Sequence, residues 1–564
     1  MGLSYFGVIL GKIAFAQVNS AASHPMKTQK RILKRILKKS KNTEYGKKYG
    51  FKSIKTLEDF RKSVPLTTYA DYEDYVDRMV TKKEKNLITA YHVSRYCSSS
   101  GSVGKPKILP KTAPDLWNMQ CLGFSASVAC AYKHIKKMDK KAKFPDQRGP
   151  LVMVLTGHRL EDGKMCNGAG QVPLTYLKSI TPFFSTSPLD ILFPENEELI
   201  DISYYQLRFA LQDRRVSYLG SLVITLLTTM FNYLENNWRM LCDDIEHGTI
   251  NPGVKTTPEL RNKYEKKFKP MPQRAAELRA EFEKGFDDPI APRIWPRLTW
   301  AYGMVGANLA VYVDKVRRYI GDTPIHNMGF AAAEGYFAVT VELNAKDYVL
   351  VPYSVFFEFL PLDAPDGMAP LTLDEVEEGK EYELIVTNHS GLYRYRLEDV
   401  VKITGKYGNA PKVEFLYRLN LGMNIANEKT STRMIDWAVT QISEATGDSF
   451  EGHSFYADYS TDPPHYVMLV ERTDSASPGD KEEYEKLLDE NMRACNEKYL
   501  KYRRWGMIGN PEVLFLQKNT YADYKELLRS RGIVLNQIKP VTVINSDERK
   551  EFFFSHVAQV SCKN

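Results

Sequence analysis

Short apolar runs of strand length alternate with long helix-patterned stretches over most of this chain, and that alternation limits its fold more than any other feature. The runs fall at Leu151–Leu155, Ala338–Leu343, Tyr348–Leu360, Tyr382–Thr387, Leu392–Thr404 and Lys412–Tyr417. Helical stretches, including Ser217–Leu241 and the charge-rich Pro258–Lys284, lie between the first and second. Such a mixture implies an α/β domain with more than one sheet and packed helices. After Arg418 the texture changes: Asn420–Lys429 is a polar connection, and helix and strand signals then alternate to the end. Strands are expected at Tyr466–Glu471, Val513–Gln517 and Val541–Asn545, and helices near Arg433–Ala445 and Lys481–Leu500. At 564 residues the chain exceeds what one core usually organises. The expectation is a large α/β domain, 1–419, followed by a small, mobile α+β domain, 420–564.

Charge and cysteine content narrow the function classes. A formal net charge of +8 is a mild bias over this length and carries no nucleic-acid signature. The 7 cysteines are scattered and never in a C-x-x-C pair, which fits reduced thiols in a cytoplasm. No spacing resembles a zinc site. Near the start, Leu3–Phe15 is apolar but interrupted by Lys12 and too short to span a bilayer, so a helix packed on the body is expected, without stable membrane insertion. Phe6 stands where a myristoylation motif requires Ser or Thr. Between Lys27 and Lys48, Ile32, Leu33, Ile36 and Leu37 recur at helical spacing with Lys and Arg on the other face. A docked helix with solvated lysines is the expectation there, rather than one lying on a membrane or nucleic acid.

The sharpest local signal is S-S-G-S-V-G-K-P-K, Ser99–Lys107. Glycines and small hydroxyl residues let backbone amides approach phosphate oxygens, and Lys105 and Lys107 supply positive charge. This is not a Walker A loop, whose glycines stand farther apart and whose Lys precedes Ser or Thr. Composition alone fits an ordinary Ser/Gly turn equally well.

The string resembles the phosphate loop of the adenylate-forming superfamily, which contains acyl-CoA synthetases, luciferases and peptide-synthetase adenylation domains. The chain as a whole is similar to one branch, the auxin-responsive (Gretchen Hagen) acyl-acid amido synthetases. N-T-E-Y-G-K-K-Y-G, Asn42–Gly50, resembles that family's N-terminus. F-A-A-A-E, Phe330–Glu334, matches its aromatic-alanine-serine-serine-glutamate motif, and Y-R-L-E-D, Tyr395–Asp399, its tyrosine-arginine-x-glycine-aspartate motif. V-E-F-L-Y-R (Val413–Arg418) and N-E-K-T (Asn427–Thr430) resemble the interdomain stretch, and N-Q-I-K-P (Asn536–Pro540) the C-terminal lysine motif. Ala332 and Ala333 stand where the family has serines, Glu398 where it has glycine and Ser102 where it has threonine. The loop is one residue shorter than the usual plant form.

The resemblance implies roles for individual residues. Ser99, Ser100, Gly101, Ser102, Gly104 and Lys107 would cradle ATP phosphates, with Phe330 and Ala331 also touching nucleotide. Glu334 would hold Mg²⁺ against ATP oxygens, since magnesium takes one or two carboxylates and keeps waters; otherwise it is a strand-end surface acid. Asp399 would accept hydrogen bonds from the ribose hydroxyls, or else pair with Arg394 or Arg396. Arg418 would touch nucleotide at the hinge, or else form a domain-capping ion pair. Lys539 would supply positive charge to the α-phosphate during adenylation. By composition it is one lysine among many.

His389 in N-H-S-G and Cys97 beside the loop invite a hydrolase or thiol reading, but no G-x-S-x-G elbow exists. The reaction implied has two halves. A carboxylic acid attacks the α-phosphate of Mg·ATP and expels pyrophosphate, and an amine, expected to be that of an amino acid, then displaces AMP. A thiol acceptor, as in acyl-CoA synthetases, and a degenerate nucleotide-binding regulator are the alternatives. Neither acid nor amine is legible, and Tyr218–Leu222 and Trp300–Tyr302 are only possible pocket lining.

Overall fold

The computed structural model describes residues 2–99, 107–138, 140, 147–152, 157–168, 181–182, 184–196, 199–305, 311–362, 364–365, 367–419, 422–423, 425, 430, 432–461, 463–473, 481–504, 508–531, 533, 538, 540–544 and 546–558. They form a mixed α/β protein. By contact the chain divides into two compact units, one of Met1–Ser99, Ile108–Leu397 and Val401–Phe415, the other of Ser100–Lys107, Glu398–Val400 and Leu416–Asn564.

The first unit is built on several sheets. A seven-stranded sheet runs, edge to edge, Phe356–Pro361, Glu381–Thr387, Tyr395–Tyr407, Ala410–Arg418, Tyr348–Leu350, Gly335–Val339, Phe330–Ala332. Tyr348–Leu360, which reads as one run, is thus two strands. A parallel four-stranded sheet has the order Leu151–Val152, Tyr218–Val223, Trp300–Met304, Ile325–Asn327. Here the expected helix over Ser217–Leu241 is corrected: its first residues are the strand Tyr218–Val223, and the helix is Thr225–His247. Buried on both faces, a parallel strand reads as an unbroken apolar run, which periodicity alone does not separate from a helix. Pro258–Lys284 is likewise two helices, Pro258–Lys267 and Pro272–Phe282, each with Pro near its N-terminus, where no amide partner is lost.

Both N-terminal segments are helices docked on this unit. Gly2–Ser23 buries Ala14, Val18, Ala21 and Ala22. Pro25–Ser40 buries Ile32, Leu33, Ile36 and Leu37, each contributing about 1.5–3 kcal/mol of apolar burial. Gln29 fixes it: its amide donates to the Pro352 and Val355 carbonyls at 2.6 and 2.7 Å and accepts from the Phe357 amide at 2.7 Å. The helix's apolar face is therefore spent on the body. No helix among the described residues is long and apolar enough to cross a membrane.

The second unit contains a three-stranded sheet, Phe450–Asp458, His465–Arg472, Glu512–Phe515, antiparallel then parallel. Successive residues of the middle strand serve opposite faces. Tyr466, Met468 and Val470 pack with Ile435, Ala438, Leu488 and Met492, while Val467 and Leu469 pack with Tyr521, Tyr524 and Phe553. The strand expected over Val541–Asn545 is reduced to one bridge, Phe455 to Val543.

Candidate nucleotide site

The Phe330–Glu334 motif begins where the parallel sheet ends. Ligands in α/β sheets gather at the carboxyl ends of the strands, and Ile325–Asn327 leads there directly into Phe330–Ala332. Asn327 accepts from the Val305 amide at 3.1 Å and donates to the Tyr348 hydroxyl at 2.6 Å, and that hydroxyl donates to the Val305 carbonyl at 2.9 Å. Gly329, at φ 121°, carries the chain across Tyr336, whose hydroxyl a side chain would strike. Phe330 is buried against the rings of Phe337, Tyr348 and Phe415.

Ala332 pairs with Gly335 across an antiparallel hairpin, so Ala333 and Glu334 form its two-residue turn. Turn positions are normally exposed, yet Glu334 is only 4% exposed. Its carbonyl accepts from the Asn388 side chain at 2.8 Å, and Asn388 is itself tied to Leu392 in both directions. The Glu334 carboxylate has no hydrogen-bond or ion-pair partner among the described residues. Ala333 is buried in the apolar cluster and Ala332 packs against it, so these two lack the family's hydroxyls in apolar surroundings.

The same unit holds a buried lysine and thiol nearby. Lys111 is buried near the end of the strand Lys107–Thr112. Cys97 is buried, and burial pushes its thiol up to about 12, eased by Lys111 and Arg95 and reinforced by Cys166 and Glu334. A thiol so protonated is no nucleophile. Burial lowers the pKa of His389, and its ring Nδ1 has no hydrogen-bond partner among the described residues, so it is neutral and not oriented as a base. Both facts oppose the hydrolase and thiol readings.

In the second unit, Asp399 is buried and the Arg418 Nε lies 3.7 Å from its carboxylate and 4.0 Å from that of Glu398. The two arginines offered to Asp399 by sequence are engaged elsewhere: Arg394 by Glu358 at 3.0 Å, and Arg396 by Glu383 at 2.6 Å. Glu398 has φ 62°, the left-handed region in which a side chain is strained, and its carbonyl accepts from the Leu419 amide at 2.5 Å. A glycine at this motif position follows from that backbone.

The remaining site residues divide plainly. Ser100, Gly101, Ser102, Gly104 and Lys539 lie outside the described residues. Ser99 ends the strand Val93–Ser99 and Lys107 opens Lys107–Thr112, half-buried. Ala331 pairs with Tyr336 in the hairpin. N-T-E-Y-G proves structural: Thr43 caps the helix Glu44–Lys48, Tyr45 stacks on Tyr72 and Tyr393, and a Cβ on Gly46 would collide with the Ser40 carbonyl. Tyr218 and Trp300, both buried, and the partly buried Tyr302 form an aromatic stack with centroids 5.2–5.8 Å apart. Sequence reasoning missed Lys111 and Asn388. A lysine closing the apolar I-L-P-K run was the one signal for the first, and the N-H-S-G turn drew attention to its histidine instead.

Residues 14–325 match the GH3 family N-terminal domain, 348–418 its central domain and 433–548 its C-terminal domain. The chain belongs to the GH3 family. Among GH3 relatives, indole-3-acetic acid-amido synthetase GH3.3 of Arabidopsis thaliana is 28% identical, covering 91% of this chain and 88% of that protein. Jasmonoyl--L-amino acid synthetase GH3.5 of Oryza sativa subsp. japonica is 26% identical, covering 93% of each. The solved GH3.15 acyl acid amido synthetase superposes with a TM-score of 0.85 over 97% of this chain and 96% of its own, at 24% identity. The fold is that of a GH3 acyl-acid amido synthetase, and the family's curated members are ligases.

Proposed function

We propose that this chain is an ATP-dependent ligase that adenylates a carboxylic acid and transfers the acyl group to the amine of an amino acid. The observation that carries the reading is the match to all three GH3 domains in order along the chain. The names of its relatives, which join indole-3-acetic acid or jasmonic acid to amines, supply the reaction class.

Glu334 is assigned to Mg²⁺. A carboxylate on so little exposed a residue, with no counter-charge among the described residues, is costly unless a cation arrives, and one carboxylate suits magnesium, which relies otherwise on phosphates and water. Among the described residues no cluster of three or more metal-binding side chains exists, which fits an ion brought with its nucleotide. When bound, the ion would neutralise phosphate charge. Lys111 supplies a second buried charge toward anionic oxygens in the first unit. Asp399 is assigned to the ribose hydroxyls, with the Arg418 guanidinium beside its carboxylate at 3.7 Å, and Ser99–Lys107 to the phosphates. Lys539 is assigned to the α-phosphate in the adenylation transition state. Residues 1–419 and 420–564 are proposed as the stationary and moving domains, whose closure would keep water from the acyl-adenylate.

A panel of aryl and alkyl carboxylic acids with the common amino acids, read by pyrophosphate release and product mass, tests this. Amide product with AMP release is expected. Thioester with coenzyme A formed faster than any amide would overturn the acceptor assignment, and no nucleotide-dependent pyrophosphate release with any acid would overturn adenylation.

A further inference from the structure

At the other end of the parallel sheet from the Phe330–Glu334 hairpin lies a cleft of about 610 Å³ that the proposed reaction does not use. It is lined by residues just before the strands Tyr218–Val223 and Trp300–Met304, with the helices Pro272–Phe282 and Ile290–Ile294 completing the wall. Arg214, Arg215, Arg274, Arg293 and Arg297 line it with only two carboxylates, Glu277 and Glu281.

Each carboxylate around the cleft is divided between two cations. Glu277 serves Arg214 and Arg274, Glu281 serves Lys284 and Arg293, and Asp213 serves Arg148 and Arg215. Arg297 has no hydrogen bond or ion pair among the described residues. Positive charge is therefore in excess by several units within one concavity. Arg274 is only 5% exposed and rigidly held, its Nε and Nη2 donating to the Leu211 and Ile294 carbonyls at 2.8 Å each. Its remaining Nη1 meets Glu277 at 3.3 Å. Burial lowers its pKa, against the opposing pull of Glu277.

We propose that this cleft binds a small anion carrying two or more phosphate groups. Arg297 offers an uncommitted guanidinium fork, which matches phosphate oxygens in pairs, while the other arginines, held by protein oxygens, contribute charge. The surplus charge calls for more than one anionic group, and the volume is that of a small-molecule site. The cations converge on one concavity instead of forming the stripe that a nucleic-acid backbone requires.

The full chain is titrated calorimetrically with tripolyphosphate and with orthophosphate, in saturating AMP to occupy the nucleotide site. Tripolyphosphate is expected to bind at least tenfold more tightly than orthophosphate, with affinity falling as salt rises. Arg297→Glu, at an exposed position that tolerates replacement, is expected to weaken it at least tenfold, and Arg214→Ala/Arg297→Glu further. Glu334→Gln is expected to leave it unchanged. Equal binding to parent and Arg297→Glu, loss of binding in Glu334→Gln, or binding of a duplex RNA without tripolyphosphate would each overturn the proposal.

Discussion

Two carboxylates of the seven-stranded sheet are almost equally buried, Glu358 at 1% and Glu334 at 4% exposure, and they have opposite surroundings. Glu358 lies between Arg61 at 3.1 Å and Arg394 at 3.0 Å, so its charge is balanced from within. Arg394 also donates from its side chain to the Arg61 and Val64 carbonyls, and its backbone, left-handed at φ 49°, donates to the Thr387 hydroxyl and accepts from the Thr67 amide. Glu334 lies in a tight turn braced by Asn388, and its carboxylate has no such partner among the described residues. Burial alone thus does not distinguish an acid balanced by neighbouring arginines from one assigned to a ligand. What separates them is the counter-charge that the described residues supply to Glu358 and not to Glu334.

The largest effect should come from breaking the balanced pair. Glu358→Ala leaves Arg394 buried without its partner and is expected to cost about 3–5 kcal/mol in denaturant unfolding. Glu334→Gln removes a charge with no partner among the described residues, so stability should hold within about 0.5 kcal/mol or rise. Equal destabilisation by both would break the comparison. On rate the order reverses. Glu334→Gln should slow pyrophosphate release by about 10²–10³, a typical loss for a group acting on developing charge, as should Lys539→Ala. The two differ in affinity: Lys539→Ala should change equilibrium ATP binding only a few-fold.

Glu398 offers a smaller test. Glu398→Gly removes the strain of φ 62° and one of two carboxylates beside Arg418, and should stabilise the protein by about 1 kcal/mol in chemical denaturation. A loss of stability would mean that the glutamate side chain outweighs its backbone strain. Smallest of all is the thiol. Because burial pushes Cys97 up to about 12, iodoacetamide at pH 8 should leave it unalkylated in the folded protein, as read by peptide mass. Rapid alkylation there would revive the thiol reading.

Much of this fold was legible because its periodicities are clean. Pro25–Ser40 shows its buried stripe in sequence, and Glu381–Thr387 and His465–Arg472 read as the strands they form. Tyr218–Val223 was lost in the helix that follows, since a doubly buried strand has no alternation to show. The site was legible as motifs and not as geometry. F-A-A-A-E named Glu334, but its burial in a turn depends on Asn388, more than fifty residues away. Lys111 was invisible because a lysine's burial is set by packing. Glu398 departs from the family glycine in sequence, whereas the reason for that glycine lies in the backbone angle.

The most direct test of the central claim, that Glu334 receives its counter-charge from Mg·ATP, is thermal unfolding of the parent and Glu334→Gln with saturating ATP, with Mg²⁺ and with EDTA. Ligand that binds only the folded state raises its melting temperature. In the parent the rise should be larger with Mg²⁺ than with EDTA; in Glu334→Gln the difference between the two should vanish while the EDTA value stays at the parental level. An undiminished magnesium-dependent rise in Glu334→Gln would contradict the account.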